Sequence, residues 1–125
     1  MPIDATQPYD DQNIFAKILR GEIPSKRVYE DDVAIAFHDI NPQAPTHILV
    51  IPRGAYVSWD DFSAKASDAE IAGFVRAVGT VAREAGGVAP GYRLLANTGQ
   101  HSGQEVPHLH VHVFAGAPLG PMLAR

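Results

Sequence analysis

The feature that most constrains the fold is an alternation of histidine and apolar residues near the C-terminus, His108-Leu109-His110-Val111-His112-Val113-Phe114. Successive side chains of a β-strand point to opposite faces of a sheet. The alternation therefore predicts a strand over His108–Phe114 that carries its three histidines on one face and buries the other face in the core. Neighbouring imidazoles on the histidine face would start roughly 6–7 Å apart.

The rest of the chain predicts four more strands and two helices. The expected strands are residues 27–29, 33–37, 47–51 and 92–96, bounded by turn residues and prolines. A short helix is expected at residues 14–19 after the N-cap Asn13, and a long one after Ser67, which forms a capping box with Glu70. We therefore expect an α+β fold with a largely antiparallel sheet in one domain, residues 1–125, with a loose lead-in over 1–12 and an irregular tail over 117–125.

Composition excludes several classes of protein. The chain has 125 residues, a net charge of -4 and no cysteine. The acidic balance disfavours nucleic-acid partners, and the missing cysteines exclude disulfides and thiolate zinc sites. No apolar stretch is long enough to span a membrane, and the N-terminus does not have the pattern of a signal peptide. We therefore expect a cytoplasmic protein with no membrane partner.

Three interpretations of the histidine face are open. It could be a solvent-facing strand that happens to be rich in histidine, or a metal site, since imidazoles at alternate strand positions are good ligands. It could also be a phosphate site in which one histidine attacks phosphorus and its neighbours donate hydrogen bonds. The preceding loop, with Gly99, Ser102, Gly103 and Gln104, favours the phosphate site, because glycines let backbone N–H groups approach an anion.

Other segments accompany the alternation: Ile14-Phe15-Ala16-Lys17-Ile18, Gly21-Glu22-Ile23-Pro24, Phe37-His38-Asp39-Ile40, Pro42-Gln43-Ala44-Pro45-Thr46-His47, Asn97 with Gly99, and Gly103-Gln104. Together they resemble the histidine-triad (HIT) family, and within it the Hint branch of histidine-triad nucleotide-binding proteins. The match runs from about Ile14 to Gly116. The resemblance implies the HIT-like α+β fold and a homodimer with a sheet running across both subunits. It also implies hydrolysis of purine nucleoside phosphoramidates of the AMP-amine type, without a metal or other cofactor.

The resemblance also implies roles for the histidines. His110 would be the nucleophile that becomes nucleotidylated, and His112 would donate to the α-phosphate. His108 would give structural and electrostatic support, and His47 would be a further partner of the site. A neutral imidazole suits this chemistry, because its reference pKa of about 6.5 leaves a free lone pair near pH 7.

The substrate-binding residues follow in the same way from the resemblance. Asp39 would bind the ribose hydroxyls with Ile40 beside it, and Asn97 would contact the phosphate or ribose region. The loop that closes around the phosphate and leaving group would contain Gly103, Gln104 and Glu105. The residues that would line the base pocket are Phe15, Ile18, Ile23 and Phe37.

The sequence departs from the branch at three places. Glu105 replaces the usual serine or threonine, Ala115-Gly116-Ala117 replaces the usual Gly-Gly-Arg, and the tail lacks the tryptophan of animal members. Glu105 puts the rate and the leaving-group preference in question. A non-catalytic nucleotide-binding module that keeps the site therefore stays open as an alternative, as does a metal-binding protein using the triad histidines.

Overall fold

A computed structural model describes residues 2–124 of the chain. Its elements are α1 (Ile14–Leu19), β1 (Arg27–Glu30), β2 (Ala34–His38), β3 (Thr46–Pro52), α2 (Trp59–Lys65), α3 (Asp68–Glu84), β4 (Arg93–Leu95) and β5 (Val111–Ala115). The strands form one sheet in the order β1-β2-β3-β5-β4, and every neighbouring pair is antiparallel. The predicted α+β fold with an antiparallel sheet is confirmed.

Side-chain caps decide where the helices begin. Asn13 accepts a hydrogen bond from the N–H of Ala16 at the start of α1, and Ser67 forms the predicted capping box at the start of α3. A third helix, α2, was not predicted. Ser58 and Asp61 form its capping box, which satisfies N–H groups that a helix leaves free in its first turn.

The sheet has two faces of different character. We call the face covered by α2 and α3 the helix face; its buried side chains include Ala36, Val50, Val111 and Val113 of the sheet and Phe74 of α3. The opposite face, called the histidine face, packs on α1; its apolar cluster consists of Phe15, Ile18, Ile35, Phe37, Leu49 and Ile51.

The last strand differs from its prediction at its start. Regular pairing begins at Val111, so residues 108–110 precede the ladder rather than forming part of it. They are held by other contacts, such as the hydrogen bond from the N–H of Leu109 to the carbonyl of Tyr56, 2.8 Å. The predicted alternation of faces is nevertheless kept, because Leu109, Val111 and Val113 all join the helix-face core.

The predicted lead-in is irregular over residues 2–12, yet it is tied to the body of the protein. The N–H of Ile3 donates to the carbonyl of Gln104 at 2.8 Å, and the Tyr9 hydroxyl lies 2.6 Å from Nδ1 of His108. Residue 1 and residue 125 lie outside the described residues. Among the helices of residues 2–124, none combines the length and the apolar character that a membrane crossing requires.

Candidate active site

The histidine face brings four imidazoles together. His112 on β5 lies opposite Leu49 of β3, and His47 stands two residues before Leu49 on the same face. The rings of His110 and His112 have centroids 5.1 Å apart, as do the rings of His47 and His112. His47, His108 and His110 are all buried. The solvent-facing interpretation of the histidine alternation is therefore wrong.

His110 presents a free lone pair. Its Nδ1 lies 2.8 Å from the carbonyl oxygen of His108. A carbonyl can only accept a hydrogen bond, so Nδ1 carries the proton and donates it. In the neutral ring, Nε2 is then unprotonated and has no hydrogen-bond partner within the described residues. That nitrogen is the ring atom with a free lone pair.

His112 carries its proton on the other ring nitrogen, Nε2, and a chain of hydrogen bonds determines this. The N–H of Gln43 donates to Nδ1 of His47, 3.1 Å, so the proton of neutral His47 is on Nε2. That Nε2–H donates to Nδ1 of His112, 2.9 Å away. Nε2 of neutral His112 therefore carries a proton, and the site offers a lone pair on His110 beside an N–H on His112.

His108 faces inward and has no free nitrogen. Its Nε2 donates to the carbonyl of Pro52, 2.9 Å, and its Nδ1 contacts the hydroxyl of Tyr9, 2.6 Å. The side chain is completely buried. His108 therefore contributes to the site through its carbonyl and its packing rather than through a ring atom.

Burial keeps all four histidines neutral. It is the main cause that lowers the pKa of His108 to about 4 and that of His112 to about 4. The hydrogen bond from His108 to the Pro52 carbonyl acts against this, and neighbouring histidines act with it when they are charged. Burial also lowers the pKa of His110 and of His47, against a smaller opposing effect of Asp39 on both. Near pH 7 the site consequently has imidazoles rather than imidazolium ions.

Asp39 lies at the edge of the site, directly after β2. One carboxylate oxygen accepts from the N–H of Asn41 at 2.8 Å, and the other lies 3.5 Å from Nε2 of His47. Ile40 is almost fully exposed. Asn97 is half-buried and follows β4 by two residues. Residues 93 and 95 of β4 pair with residues 114 and 112 of β5, so the chain after β4 runs towards residue 110.

The loop before the triad is shaped by glycines and by Gln104. Gly99 and Gly103 have φ angles of 76° and 81°, a conformation that glycine adopts without steric cost. Their N–H groups already donate, to the side chain of Gln104 and to the carbonyl of Gln100. These two N–H groups are therefore not free for an anion, contrary to the expectation from sequence, because the tight turn uses them itself.

The Gln104 side chain is buried and holds this loop to its surroundings. Its amide nitrogen donates to the carbonyls of Val57 and Val106, at 2.7 and 3.1 Å. Any part that Gly103 and Gln104 play in binding depends on loop shape. Glu105 is exposed, and among the described residues its side chain has no hydrogen bond or salt bridge.

The predicted base-pocket residues lie at the α1 side of the site. Phe15 packs edge-on against Phe37 and against His110, with ring centroids 5.6 and 4.9 Å apart. Phe15, Ile18 and Phe37 are buried, and Ile23 is partly buried against them. Most of their surface therefore belongs to the core, and their contact with a base would be limited to its margin.

The three triad histidines do not converge on a point where a metal could bind. Among residues 2–124, the group whose ligand atoms come within 4.8 Å of one another is Asp39, His47 and His112. The metal site that the sequence suggested, with His108, His110 and His112, is therefore not formed, because both ring nitrogens of His108 are engaged elsewhere. The hydrogen bond between His47 and His112 accounts for the closeness of the other set.

With this geometry in place, comparison with known proteins gives the family. The protein-family model described as the HIT domain matches residues 20–119 of this chain. The chain belongs to the HIT domain family. A HIT-like protein of Azospirillum brasilense is 68% identical over 117 residues, which are 94% of this chain and 96% of that protein.

Two further HIT relatives bear on activity and fold. The purine nucleoside phosphoramidase of Escherichia coli strain K12 is 48% identical over 115 residues, 92% of this chain and 96% of that protein. A histidine triad protein from Clostridium difficile has a structure that superposes with a TM-score of 0.77, at 43% identity, covering 88% of this chain and 95% of that one. The predicted HIT-like fold is confirmed.

Three contributors to the HIT site were not predicted. Tyr9 contacts His108, the N–H of Gln43 orients His47, and the carbonyl of Pro52 fixes the ring of His108. Two of these act through the backbone, where residue type gives no signal. For Tyr9 a signal existed, because it is the single aromatic residue among the first twelve, most of which are polar or small.

Proposed function

We propose that this HIT protein hydrolyses purine nucleoside 5′-phosphoramidates, with Nε2 of His110 as the nucleophile. The observation that carries the proposal is that an unprotonated Nε2 on His110 lies beside a protonated Nε2 on His112. A nucleophile and a hydrogen-bond donor side by side fit a phosphate whose phosphorus is attacked while its oxygens gain charge.

The reaction would run in two displacements. Nε2 of His110 forms a bond to the α-phosphorus, the bond from phosphorus to the amine nitrogen breaks, and the amine leaves with its electron pair and takes up a proton from solvent. Water then attacks the same phosphorus, the bond to His110 breaks, and a proton goes to solvent as the nucleoside monophosphate is released. The N–H of His112 stabilises the phosphoryl oxygens in both steps.

Substrate selection would come from residues around this centre. Asp39 would accept from the ribose hydroxyls, since a carboxylate can accept from two donors at once, with Ile40 beside it. Asn97 would contact the phosphate or ribose region. The margin formed by Phe15, Ile18, Ile23 and Phe37 would contact the base without reading its edge. The phosphoramidase name of the Escherichia coli relative supports the substrate class.

The test is release of a fluorescent amine from an AMP-amine phosphoramidate, followed by mass spectrometry of the protein after brief exposure to the substrate. We expect turnover and a nucleotidyl adduct on the peptide that contains His110. The control is His110→Ala, which should give neither.

Two outcomes would contradict the proposal. Unchanged turnover in His110→Ala would exclude this residue as the nucleophile. If calorimetry shows binding of AMP but no amine is released from a panel of AMP-amine substrates, the non-catalytic nucleotide-binding module is favoured instead. Glu105, in place of the usual serine or threonine, is the reason for considering that alternative.

We also propose that the protein forms a homodimer through the edge of the sheet at β4. Among residues 2–124 this strand pairs with β5 alone, so its outer edge has free backbone groups. Beside it, on the helix face, lies an apolar groove of about 570 Å³. Trp59, Val75, Tyr92 and Leu94 line the groove and are exposed. A second copy with the same edge fits, because one strand can pair antiparallel with its own copy about a two-fold axis.

Analytical ultracentrifugation of two arginine variants tests this interface. Leu94 is 46% exposed at the β4 edge, and Val28 is 41% exposed on β1 at the other edge of the sheet. We expect a dimer for wild type and Val28→Arg and a monomer for Leu94→Arg. A dimer that survives in Leu94→Arg, or is lost in Val28→Arg, would contradict the proposed interface.

A further inference from the structure

The irregular segment before α1 is fixed to the catalytic region at two places. The N–H of Ile3 donates to the carbonyl of Gln104, in the loop before the triad, and Tyr9 reaches His108. Between them, the Asp4 carboxylate accepts from the backbone N–H and the hydroxyl of Thr6, at 2.9 and 2.6 Å. The path of the segment is therefore set by specific hydrogen bonds, and it brings the Tyr9 ring edge-on to the His108 ring, with centroids 5.6 Å apart.

The direction of the hydrogen bond between Tyr9 and His108 follows from the other partner of His108. The carbonyl of Pro52 only accepts, so the proton of the neutral ring is on Nε2. Nδ1 is then a lone pair, and the Tyr9 hydroxyl must be the donor. Because His108 has no exposed surface, the structure leaves water no access with which to replace this donor.

The same residue supports the nucleophile through its backbone. The carbonyl of His108 accepts the Nδ1 proton of His110, which leaves Nε2 of His110 unprotonated. Residues 108–110 lie before the regular pairing of β5, so ladder hydrogen bonds do not hold this carbonyl in place. The N–H of Leu109, in the same peptide group as this carbonyl, donates to the carbonyl of Tyr56 and holds the group from one side. The His108 side chain, anchored at Pro52 on one nitrogen and at Tyr9 on the other, holds the residue from the other side.

The Tyr9 hydroxyl is suited to remain a donor. Burial raises the pKa of Tyr9, which keeps the phenol protonated at physiological pH. The other titratable groups that act on His108 are His110, which lowers its pKa, and Asp61, which raises it. A donated hydrogen bond to Nδ1 favours the neutral imidazole, because an imidazolium would carry a second N–H pointing at the hydroxyl.

We propose that Tyr9 is a positioning residue of the active site: by donating to Nδ1 of His108 it supports the Nε2–H tautomer that the Pro52 carbonyl sets, and together with the hydrogen bond from Leu109 to Tyr56 it keeps the His108 carbonyl aimed at His110. The inference deepens the proposed phosphoramidate hydrolysis and rests on it for its kinetic consequence. The consequence for the tautomer of His108 does not depend on any activity.

The first measurement is long-range ¹H–¹⁵N correlation NMR of the wild-type protein, which distinguishes the two ring nitrogens of a histidine by their shifts. We expect an unprotonated Nδ1 and a protonated Nε2 for His108. Protonation at Nδ1 would overturn the proposal. Because this readout needs no substrate, its outcome is separate from success or failure of the proposed hydrolysis.

The second measurement compares Tyr9→Phe with Tyr29→Phe. The control, Tyr29→Phe, also removes a hydroxyl that has a hydrogen-bond partner at 2.6 Å, the carboxylate of Asp31. Tyr29 lies on β1, which is separated from β5 by two strands of the sheet. In Tyr9→Phe the ring contact remains but Nδ1 of His108 loses its donor. We expect the pKa of His108 to rise in this variant and to stay unchanged in the control.

Kinetics then separate positioning from general stability. For Tyr9→Phe we expect kcat to fall by about three- to tenfold, the effect of one lost buried hydrogen bond, with little change in KM. The acid limb of the kcat profile should move to higher pH, because a charged His108 beside His110 reduces the nucleophilicity of its Nε2. An unchanged His108 titration in Tyr9→Phe, or equal effects in Tyr29→Phe, would overturn the proposal.

Discussion

The two faces of the sheet are built from the same strands and each has a buried cluster, but they differ in what they bury. On the helix face, β2, β3 and β5 present small and branched apolar side chains to α3, such as Ala36, Val50 and Val113. On the histidine face, β3 and β5 place imidazoles beside apolar side chains, and each buried imidazole is hydrogen-bonded.

The difference separates two kinds of constraint. Apolar packing tolerates changes of shape as long as volume is kept, and its energy is spread over many contacts. A buried chain of hydrogen bonds depends on which atom carries each proton, because an unpaired polar group in the interior is costly. Substitutions on the helix face should therefore act mainly on stability, and those on the histidine face mainly on chemistry.

The largest effect is expected for His110→Ala on the histidine face. Removal of the proposed nucleophile should lower kcat/KM by at least about a thousandfold, since the proposed covalent route would be lost. The free energy of unfolding, from urea denaturation, should change far less than the activity. A variant that retained activity, or that simply unfolded, would break the proposed division between the faces.

The matching change on the helix face is Phe74→Ala. Phe74 is fully buried between α3 and the sheet. Its truncation should cost about 3–5 kcal/mol of unfolding free energy through lost burial and a cavity. For the folded fraction at low temperature, kcat with the fluorogenic phosphoramidate should stay near the wild-type value. A large drop in kcat there would show that the two faces are coupled.

Acid should destabilise the protein through the histidine face. The pKa of His108 is lowered from 6.5 to about 4 on folding. The unfolded chain therefore binds more protons below pH 6.5, and stability that is complete above that pH falls as the pH drops towards 4. His112 acts in the same direction.

For His108 alone the loss between pH 7 and pH 5 should be about 2 kcal/mol. Urea denaturation at the two pH values measures it. Phe74→Ala serves as the comparison, because it should lower stability equally at both pH values and leave the slope unchanged. Equal stability of the wild type at pH 7 and pH 5 would contradict the burial of neutral histidines.

The smallest effect is expected at Glu105, outside both faces. Its exposed carboxylate would attract a cationic amine leaving group and repel an anionic one, if it lies beside that group as we predict. Glu105→Ser should therefore lower the preference for a cationic over a neutral amine substrate by about two- to fivefold, the size of exposed charge interactions. The measurement is the ratio of kcat/KM for the two substrates; a constant ratio would remove Glu105 from the leaving-group role.

The sequence predicted the helix face well because periodicity encodes it. Alternation in β5 placed Val111 and Val113 in the core, and the capping box of Ser67 with Glu70 marked the start of α3. The helix α2 was missed although Ser58 and Asp61 give it the same kind of signal. Its seven residues are too few for a clear apolar period.

The histidine face was predicted less completely. Alternation showed that the three histidines share a face, but it could not show that residues 108–110 leave the ladder, since a strand end depends on its partner strand. Nor could it give the ring tautomers. These depend on the carbonyls of Pro52 and His108 and on the N–H of Gln43, which are brought close by tertiary structure alone.

The four imidazoles of the site are hydrogen-bonded to neutral partners, and this has a consequence for how the protein responds to salt. In residues 2–124, no lysine or arginine forms a hydrogen bond or salt bridge with His47, His108, His110, His112 or Asp39. An anion held here would be bound by N–H dipoles at short range. Dissolved ions screen attraction between separated charges and hardly affect a short hydrogen bond. Substrate affinity should consequently change little with ionic strength, and a nucleotide product would leave by breaking short hydrogen bonds.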